Sequence, residues 1–538
     1  MAIISFGMPL MLIMAAAYNL LGSGGAAVYA MSLGRRDHET AGKSITAATR
    51  TGLAVGLLLL ILGKLLFGPI TGMLCHDEEL MPRFQHYFDL LLLSSPFLVP
   101  ILTFASFLPA AGYPKYSTII NVVANVVNIS MDYVYIRILG MGVEGAAWAT
   151  LTGYLAALLI IMILIIRRRI KVIISKEPLK SFETIAEIVK RGGPDALTQI
   201  GFSMQFAVIN SLAGSYAGTA GIVAFSLCIQ DNSVVSVFLG AFIGSSVPFL
   251  SVLHGQRDFR GEEGLLKTAL KGQLMIVTIS VILLELLAPQ AAALYNITGT
   301  AQQAIAVRAL RIYALTFIIR GSVIIYFRYL MVIGFSGYAS LISALDGFGA
   351  IIPIAWLMCH AFGTDGLWCA FPVTAALIML FIIICNQRIA ARSDGRLKGI
   401  LLFEYDGKAE PILDVTITKD PASIAGISEK LHEACEKSGL NRQEAMKAAL
   451  AVEEMAVYAS NKKDQNVYMD IIARIYKGNV EIDFRSLGDF FDPFEDSESD
   501  IMENTRMLRG IASKIENEYM LGMNSTRIII EGSNSQKL

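Results

Sequence analysis

The chain has 538 residues, of which 54% are hydrophobic and 17% charged, and its mean hydropathy is +0.56. That balance excludes an ordinary soluble protein, and a formal net charge of -1 excludes a nucleic-acid partner held by a basic surface. Six cysteines (Cys75, Cys228, Cys359, Cys369, Cys385, Cys435) lack CxxC or Cys/His spacing, so they read as buried or free thiols rather than as a zinc site or a disulfide framework.

Apolar segments of about twenty residues, the length that crosses a hydrocarbon core, recur to about residue 387. Eleven spans are predicted, near 3–32, 46–74, 87–110, 116–138, 145–166, 194–217, 220–250, 267–294, 306–333, 338–360 and 365–387. The first carries neither a charged leader region nor a small-residue cleavage site and reads as a mature spanning helix. Beyond about residue 390 charges return at a soluble density. "LDVTIT", "VYMDIIARIY", "NVEIDFRS" and "STRIII" read as strands, while "PASIAGISEKLHEACEKSG", "NRQEAMKAALAVEEMAVYAS" (capped by Asn441) and "TRMLRGIASKIENEYM" read as helices. The expected fold class is an all-α polytopic membrane bundle of two lobes followed by a cytoplasmic α/β two-layer sandwich. Its divisions are an N-lobe at 1–170, a linker at 171–192, a C-lobe at 193–390 and a tail domain at 396–538, entered through a linker at 396–410.

Alternate loops differ in charge. One set holds Arg35, Arg36, Lys43, Lys115, the cluster from Arg167 to Arg191, Arg257 and Arg260; the other, including "GMGVEG" and "FGTDG", is nearly bare of cations. Positive-inside bias places the first set, and with it the tail domain, in the cytoplasm.

Three motif pairs recur in order at one separation. "GSGGAAVYAMSLGRRD" matches "GSSVPFLSVLHGQRD", aligning Gly34 with Gly255 and Asp37 with Asp258; "YSTII" matches "YASLI"; and "VEGAAWA" matches "TDGLWCA". Each pair is offset by 221 or 222 residues with the basic loop on the same side, so the two halves form a parallel repeat about an axis along the membrane normal. By that offset the span at 194–217 has a counterpart ahead of residue 1. The expectation is therefore a six-plus-six bundle whose first helix is absent, through an incomplete gene model, a truncation or a split gene.

With "LGSGGAAVYAMSLGRRDHETAGK", "AAGYPKYSTIINVVANVVNISMDYVYI", "GMGVEGAAWAT" and "GSSVPFLSVLHGQRD" in this order, residues 1–395 resemble the multidrug and toxic compound extrusion (MATE) transporters. The resemblance implies a cation-coupled antiporter of the plasma membrane, not an enzyme, exporting small organic or drug-like compounds by alternating access between two lobes. A membrane-bound sensor without transport and a lipid-linked saccharide flippase are the alternative functions.

Ionisable groups inside a membrane are costly and mark function. Asp132 and Asn128 lie one helical turn apart on a shared face, a carboxylate and an amide oxygen suited to Na+ or, through the carboxylate, to H+. The alternative for Asp132 is a helix cap or an interlobe hydrogen bond. The resemblance implies a cation site at Asn128, Asp132 and Thr150. In the second half Gln230, Asp231, Asn232 and Asp346 are candidates for a central cavity or, equally, for structural bonds to neighbouring helices, with Arg320 a partner for one of the acids.

The tail, about residues 412–533, resembles the histidine-kinase-like ATPase fold of anti-sigma-factor serine kinases, with altered motifs. Glu454 is followed by Tyr458 where that resemblance implies a magnesium-binding Asn, and Ser486 stands where it implies the adenine-binding Asp, although Gly488 of that segment persists. ATP hydrolysis is not expected and ATP binding is disfavoured, so the tail reads as a regulatory pseudo-ATPase that senses a ligand or binds a cytoplasmic protein partner.

Overall fold

A computed structural model describes residues 2–74, 81–170, 182–294, 300–404, 411–417, 421–461, 469–476, 478–487, 502–520 and 522–532. The chain divides into two units, Met1–Glu404 and Tyr405–Leu538.

The first unit is built from α1 (Ala2–Gly34), α2 (His38–Leu65), α3 (Phe67–Leu74), α4 (Met81–Phe107), α5 (Pro114–Asp132), α6 (Gly142–Ile166), α7 (Phe182–Gly255), α8 (Phe259–Leu294), α9 (Thr300–Ala314), α10 (Thr316–Val332), α11 (Ser336–Ala344) and α12 (Ile351–Ala391). Among the described residues nine helical stretches are long and apolar enough to cross a membrane. Two of them, α7 and α12, are each a pair of helices joined where Gly218 (φ 59°) and Gly363 (φ 62°) leave helical geometry. Only glycine enters that region freely. Two expected spans are subdivided instead: 46–74 breaks at Leu66 between α2 and α3, and 306–333 breaks at Leu315 between α9 and α10. Hydrophobicity continues across both breaks, which is why composition alone did not reveal them.

The apolar helix faces are sorted by partner. Leu53, Leu57, Leu58, Ile61 and Leu62 of α2 and Met275, Ile279, Ile282 and Leu286 of α8 are exposed, forming belts suited to lipid. Inward faces build two aromatic cores: Phe84, Phe88 and Leu91 with Met14 in the first half, and Phe225, Tyr313, Trp368 and Phe371 in the second. Tyr313 meets Phe371 edge-on at 4.8 Å between centroids. Prolines inside helices are compensated locally. Pro96 has no N–H for the carbonyl of Leu92, and the Ser95 hydroxyl donates to that oxygen instead at 2.7 Å, also reaching Gly56 O on α2 at 2.8 Å.

The sequence repeat returns as backbone geometry. Arg36 and Arg257 both sit at φ 59°, and Gly112 and Gly334 at 85° and 87°. Asp37 and Asp258 each cap the following helix, accepting from the amides of Thr40 (2.9 Å) and Gly261 (3.0 Å). At Asp37, burial works upward on the carboxyl pKa, but the bonds to Thr40 and the nearby Lys43 outweigh it and hold the group below the usual carboxylate range. The repeat-related ends also touch. A Cβ on Gly34 would stand 3.1 Å from the Cα of Gly255, one on Gly255 would stand 3.0 Å from the Cα of Gly34, and each would press closer still on the carbonyl oxygen of Val252 or Met31.

The expected linker at 396–410 and the tail boundary at 396 are corrected. Residues 397–404 form a hairpin, β1 (Leu397–Lys398) with β2 (Phe403–Glu404), that belongs to the first unit. Leu402 is fully buried, the amide of Asn386 donates to Ile400 O at 2.6 Å, and Phe403 lies beneath the Lys267 ammonium. Buried carbonyls need such donors, and the hairpin's hold comes from them rather than from any strand periodicity in its sequence.

The second unit comprises β3 (Pro411–Ile417), α13 (Pro421–Lys437), α14 (Arg442–Asn461), β4 (Met469–Tyr476), β5 (Asn479–Leu487), α15 (Met502–Ile511), β6 (Lys514–Met520) and β7 (Met523–Ile530). Its sheet is antiparallel throughout, in the order β3-β4-β5-β7-β6. Ile471, Ala473, Ile482, Phe484 and Ile528 alternate onto the face that packs with Leu431, Ala448, Val452 and Met455 of the helices. Asn441 and Glu444 form a reciprocal capping box at the start of α14, Asn441 Oδ1 accepting from the Glu444 amide at 2.8 Å and Glu444 from the Asn441 amide at 3.1 Å. The expected last helix is half correct: it ends at Ile511, and "KIENEYM" is the edge strand β6, because pairing with β7 along its whole length outweighs its local helical signals.

Candidate functional site

In the first half the polar residues gather on α5 and α6. Asn128 Nδ2 reaches Thr150 Oγ1 at 3.4 Å, and that hydroxyl donates to Ala146 O at 3.0 Å. Both line a cavity of about 420 Å³ with Tyr18, Asn121, Asn125 and Tyr154. Asp132, one turn beyond Asn128, closes α5 just before a π-helical segment, Tyr133–Ile138. Its Oδ1 is out of reach of solvent and has no hydrogen-bond partner among the described residues. A buried carboxylate oxygen without a donor is unstable unless a proton or cation completes it. Among the described residues no group of three or more His, Cys, Asp or Glu could hold a metal, so any ion there relies on one carboxylate plus neutral oxygens. Asn121 and Asn125 were missed in the sequence, although their spacing with Asn128 places all three on one helical stripe.

The second half holds two ion pairs. Arg320 donates from Nε and Nη2 to Asp346 Oδ2, both at 3.0 Å. Arg328 Nη1 donates to Asp195 Oδ2 at 3.0 Å. These four side chains line one small cavity of about 120 Å³ together with Asn19 of α1. The Asp346–Arg320 pair realises one of the expected alternatives; the Asp195–Arg328 pair was not foreseen, its members lying 133 residues apart. Asp231 is buried with Oδ2 unpartnered among the described residues, Asn232 is half-buried and Gln230 is exposed. None of these three lines the cavities described here.

In the tail, Glu454 is half-buried, and burial followed by the neighbouring Glu453 raises its carboxyl pKa. Ser486 is buried on β5, paired in register with Met469 and Asn524. The side chain of Tyr458, and Gly488 altogether, lie outside the described residues.

The family model MatE matches residues 1–134. The multidrug export protein MepA of Staphylococcus aureus (strain NCTC 8325 / PS 47) is 23% identical over 406 residues, covering 74% of this chain and 88% of that protein. MepA of Staphylococcus saprophyticus is 22% identical over 404 residues with the same coverage. Among solved structures, the outward-facing conformation of a multidrug resistance MATE family transporter of the MOP superfamily superposes with a TM-score of 0.67 at 21% identity, covering 72% of this chain and 88% of that one. The Vibrio cholerae MATE transporter VcmN superposes equally well, at 0.67 and 21%, over 74% and 90%. The helical membrane bundle of this chain therefore has the fold of the multidrug and toxic compound extrusion transporters.

Proposed function

We propose that the chain is a secondary transporter, not an enzyme, that exports small organic or drug-like compounds across the plasma membrane by alternating access of its two lobes through eleven crossings. Likeness to multidrug export proteins over 74% of the chain supports the class. Coupling rests on Asp132, with Asn128 and Thr150 as neutral ligands for Na+ or with the carboxylate alone for H+. The observation that carries it is the buried Asp132 Oδ1 that no described residue satisfies. One charge moving down the membrane potential supplies about 2.3 kcal/mol per 100 mV, enough for roughly fiftyfold accumulation.

Asp132→Asn removes the ionisable oxygen at nearly constant shape. In proteoliposomes loaded with rhodamine 123 or fluorescein, the variant is expected to lose gradient-driven export at least tenfold ( about 1.4 kcal/mol), while dye binding to detergent-solubilised protein persists. Unchanged export in the variant refutes the coupling role.

For the second unit the proposal is a cytoplasmic regulatory pseudo-ATPase of two-layer α/β architecture, acting through a ligand or a protein partner. Its antiparallel sheet packed on α13 and α14 supports the architecture. Ser486, buried at the position of the adenine acceptor, offers a hydroxyl where a carboxylate would be needed. Full-length protein titrated with a fluorescent ATP analogue is expected to bind nothing saturably at micromolar concentrations with Mg2+; saturable, ATP-competed binding overturns the pseudo-ATPase assignment.

A further inference from the structure

Between the two halves lies a cavity of about 370 Å³, bounded by Asn19, Ser23 and Ser106 on one side and Ser251 and Arg328 on the other, with apolar walls. Among its described lining residues Arg328 is the one charged group, and none is a carboxylate. The same guanidinium also lines the smaller cavity behind, where Asp195 takes one of its N–H groups. Asp195 is thus on the far side: its side chain is 4% exposed, against 28% for Arg328. The guanidinium has five donors in a fixed fork, and its Nε is buried without a partner among the described residues.

A permanent cation facing an apolar, hydroxyl-lined chamber sets the sign of what binds there. An organic cation would meet uncompensated like charge in a low dielectric. A carboxylate or sulfonate would instead complete the unspent edge of the fork with charge-assisted bonds, while serine hydroxyls and the Asn19 amide orient its polar substituents. The second acid of the neighbourhood, Asp346, is already engaged by Arg320. We infer that the interlobe cavity accepts amphipathic organic anions and zwitterions, anchored through their carboxylate or sulfonate on Arg328.

This assignment deepens the transport reading and rests on it for its physiological meaning, but binding can be measured without transport. Fluorescein and rhodamine 123 share a ring system and differ in charge sign, and each is titrated into purified full-length protein in detergent by fluorescence polarisation. Native protein is expected to bind fluorescein saturably and in preference to rhodamine 123. Because Arg328→Gln alone leaves Asp195 buried without its counter-ion, the decisive variant is Arg328→Gln with Asp195→Asn, which keeps the cavity neutral. Its ratio of fluorescein to rhodamine 123 affinity is expected to fall at least about tenfold, and Arg328→Lys, which keeps the charge but not the fork, is expected to fall between. A purely structural role would weaken both dyes together and leave the ratio unchanged, which overturns the assignment, as does absence of fluorescein binding to native protein. Arg328-dependent fluorescein binding with no export of either dye in proteoliposomes sinks the transport reading and leaves the binding site standing.

Discussion

Leucine at Gly34 or at Gly255 lowers export by about 5- to 150-fold while the protein still folds. Both glycines end helices at the basic-loop side, and each lies against the other's backbone. A flexible side chain can move aside, but the Cα atoms and carbonyls of Val252 and Met31 that face these positions belong to α7 and α1 themselves. A new side chain therefore has room only if the two halves separate at this end. Overpacking costs about 1–3 kcal/mol, and here that cost falls on the conformation in which the halves touch. The other conformation escapes it, so the alternation equilibrium shifts by the stated factor. In proteoliposomes the readout is fluorescein and rhodamine 123 export. A cysteine placed near residue 36 should in parallel become more reactive to a water-soluble maleimide. Gly264→Leu is the control, since open space surrounds the place where its Cβ would stand. Equal export by Gly34→Leu, Gly255→Leu and Gly264→Leu would mean that this contact plays no part in the cycle.

That contact was half visible in the sequence. The alignment of Gly34 with Gly255 followed from the 221-residue repeat, and a parallel repeat related by an axis along the membrane normal places equivalent ends on the same side. What the alignment did not reveal is that the axis passes between these two glycines, because self-contact of a repeat depends on how the lobes pack. The same distinction runs through the candidate sites. Asn128 and Thr150 meet as the resemblance implied, since the spacing of two adjacent helices in one lobe is locally constrained. Asp195 and Arg328 stayed hidden because each, taken alone, is a single charge in an apolar stretch, and only the fold brings α7 to α10. The hairpin at 397–404 shows the opposite failure: its carbonyls are held by Asn386 and Tyr329, which the sequence offers as unremarkable members of two helices. In the tail the alternation of β4, β5 and β7 was plain, whereas β6 carries Lys514, Glu516 and Glu518 in a pattern that a helix also tolerates and is decided by its neighbour.

The tail's own stability is expected to hang on one carboxylate. Asp483 on β5 is 1% exposed and pairs in register with Arg527 of β7. Arg527 grips it twice, Nε to Oδ1 at 2.7 Å and Nη2 to Oδ2 at 3.1 Å, and Arg474 of β4 approaches Oδ2 at 3.6 Å. Burial opposes the negative charge, but Arg527 first, then Arg474 and Arg485, outweigh it and hold the carboxyl at about 2. Asp483→Ala leaves buried guanidinium groups facing one another without a counter-ion, and removing one partner of a buried pair costs about 3–5 kcal/mol. Amide exchange followed by mass spectrometry on the full chain should show protection of the β4, β5 and β7 peptides falling by about two orders of magnitude or more, with the membrane helices unaffected. The pH dependence has a definite sign. A carboxyl lowered from its unfolded value near 3.9 to about 2 adds stability that is complete above pH ~4 and is lost as the pH falls from there toward 2, to the extent of about 2–3 kcal/mol. In Asp483→Asn that acid-dependent loss should disappear from the tail, leaving a lower and flatter profile. Native-like protection of β5 in Asp483→Ala at neutral pH would show that the three strands are held together without this ion cluster.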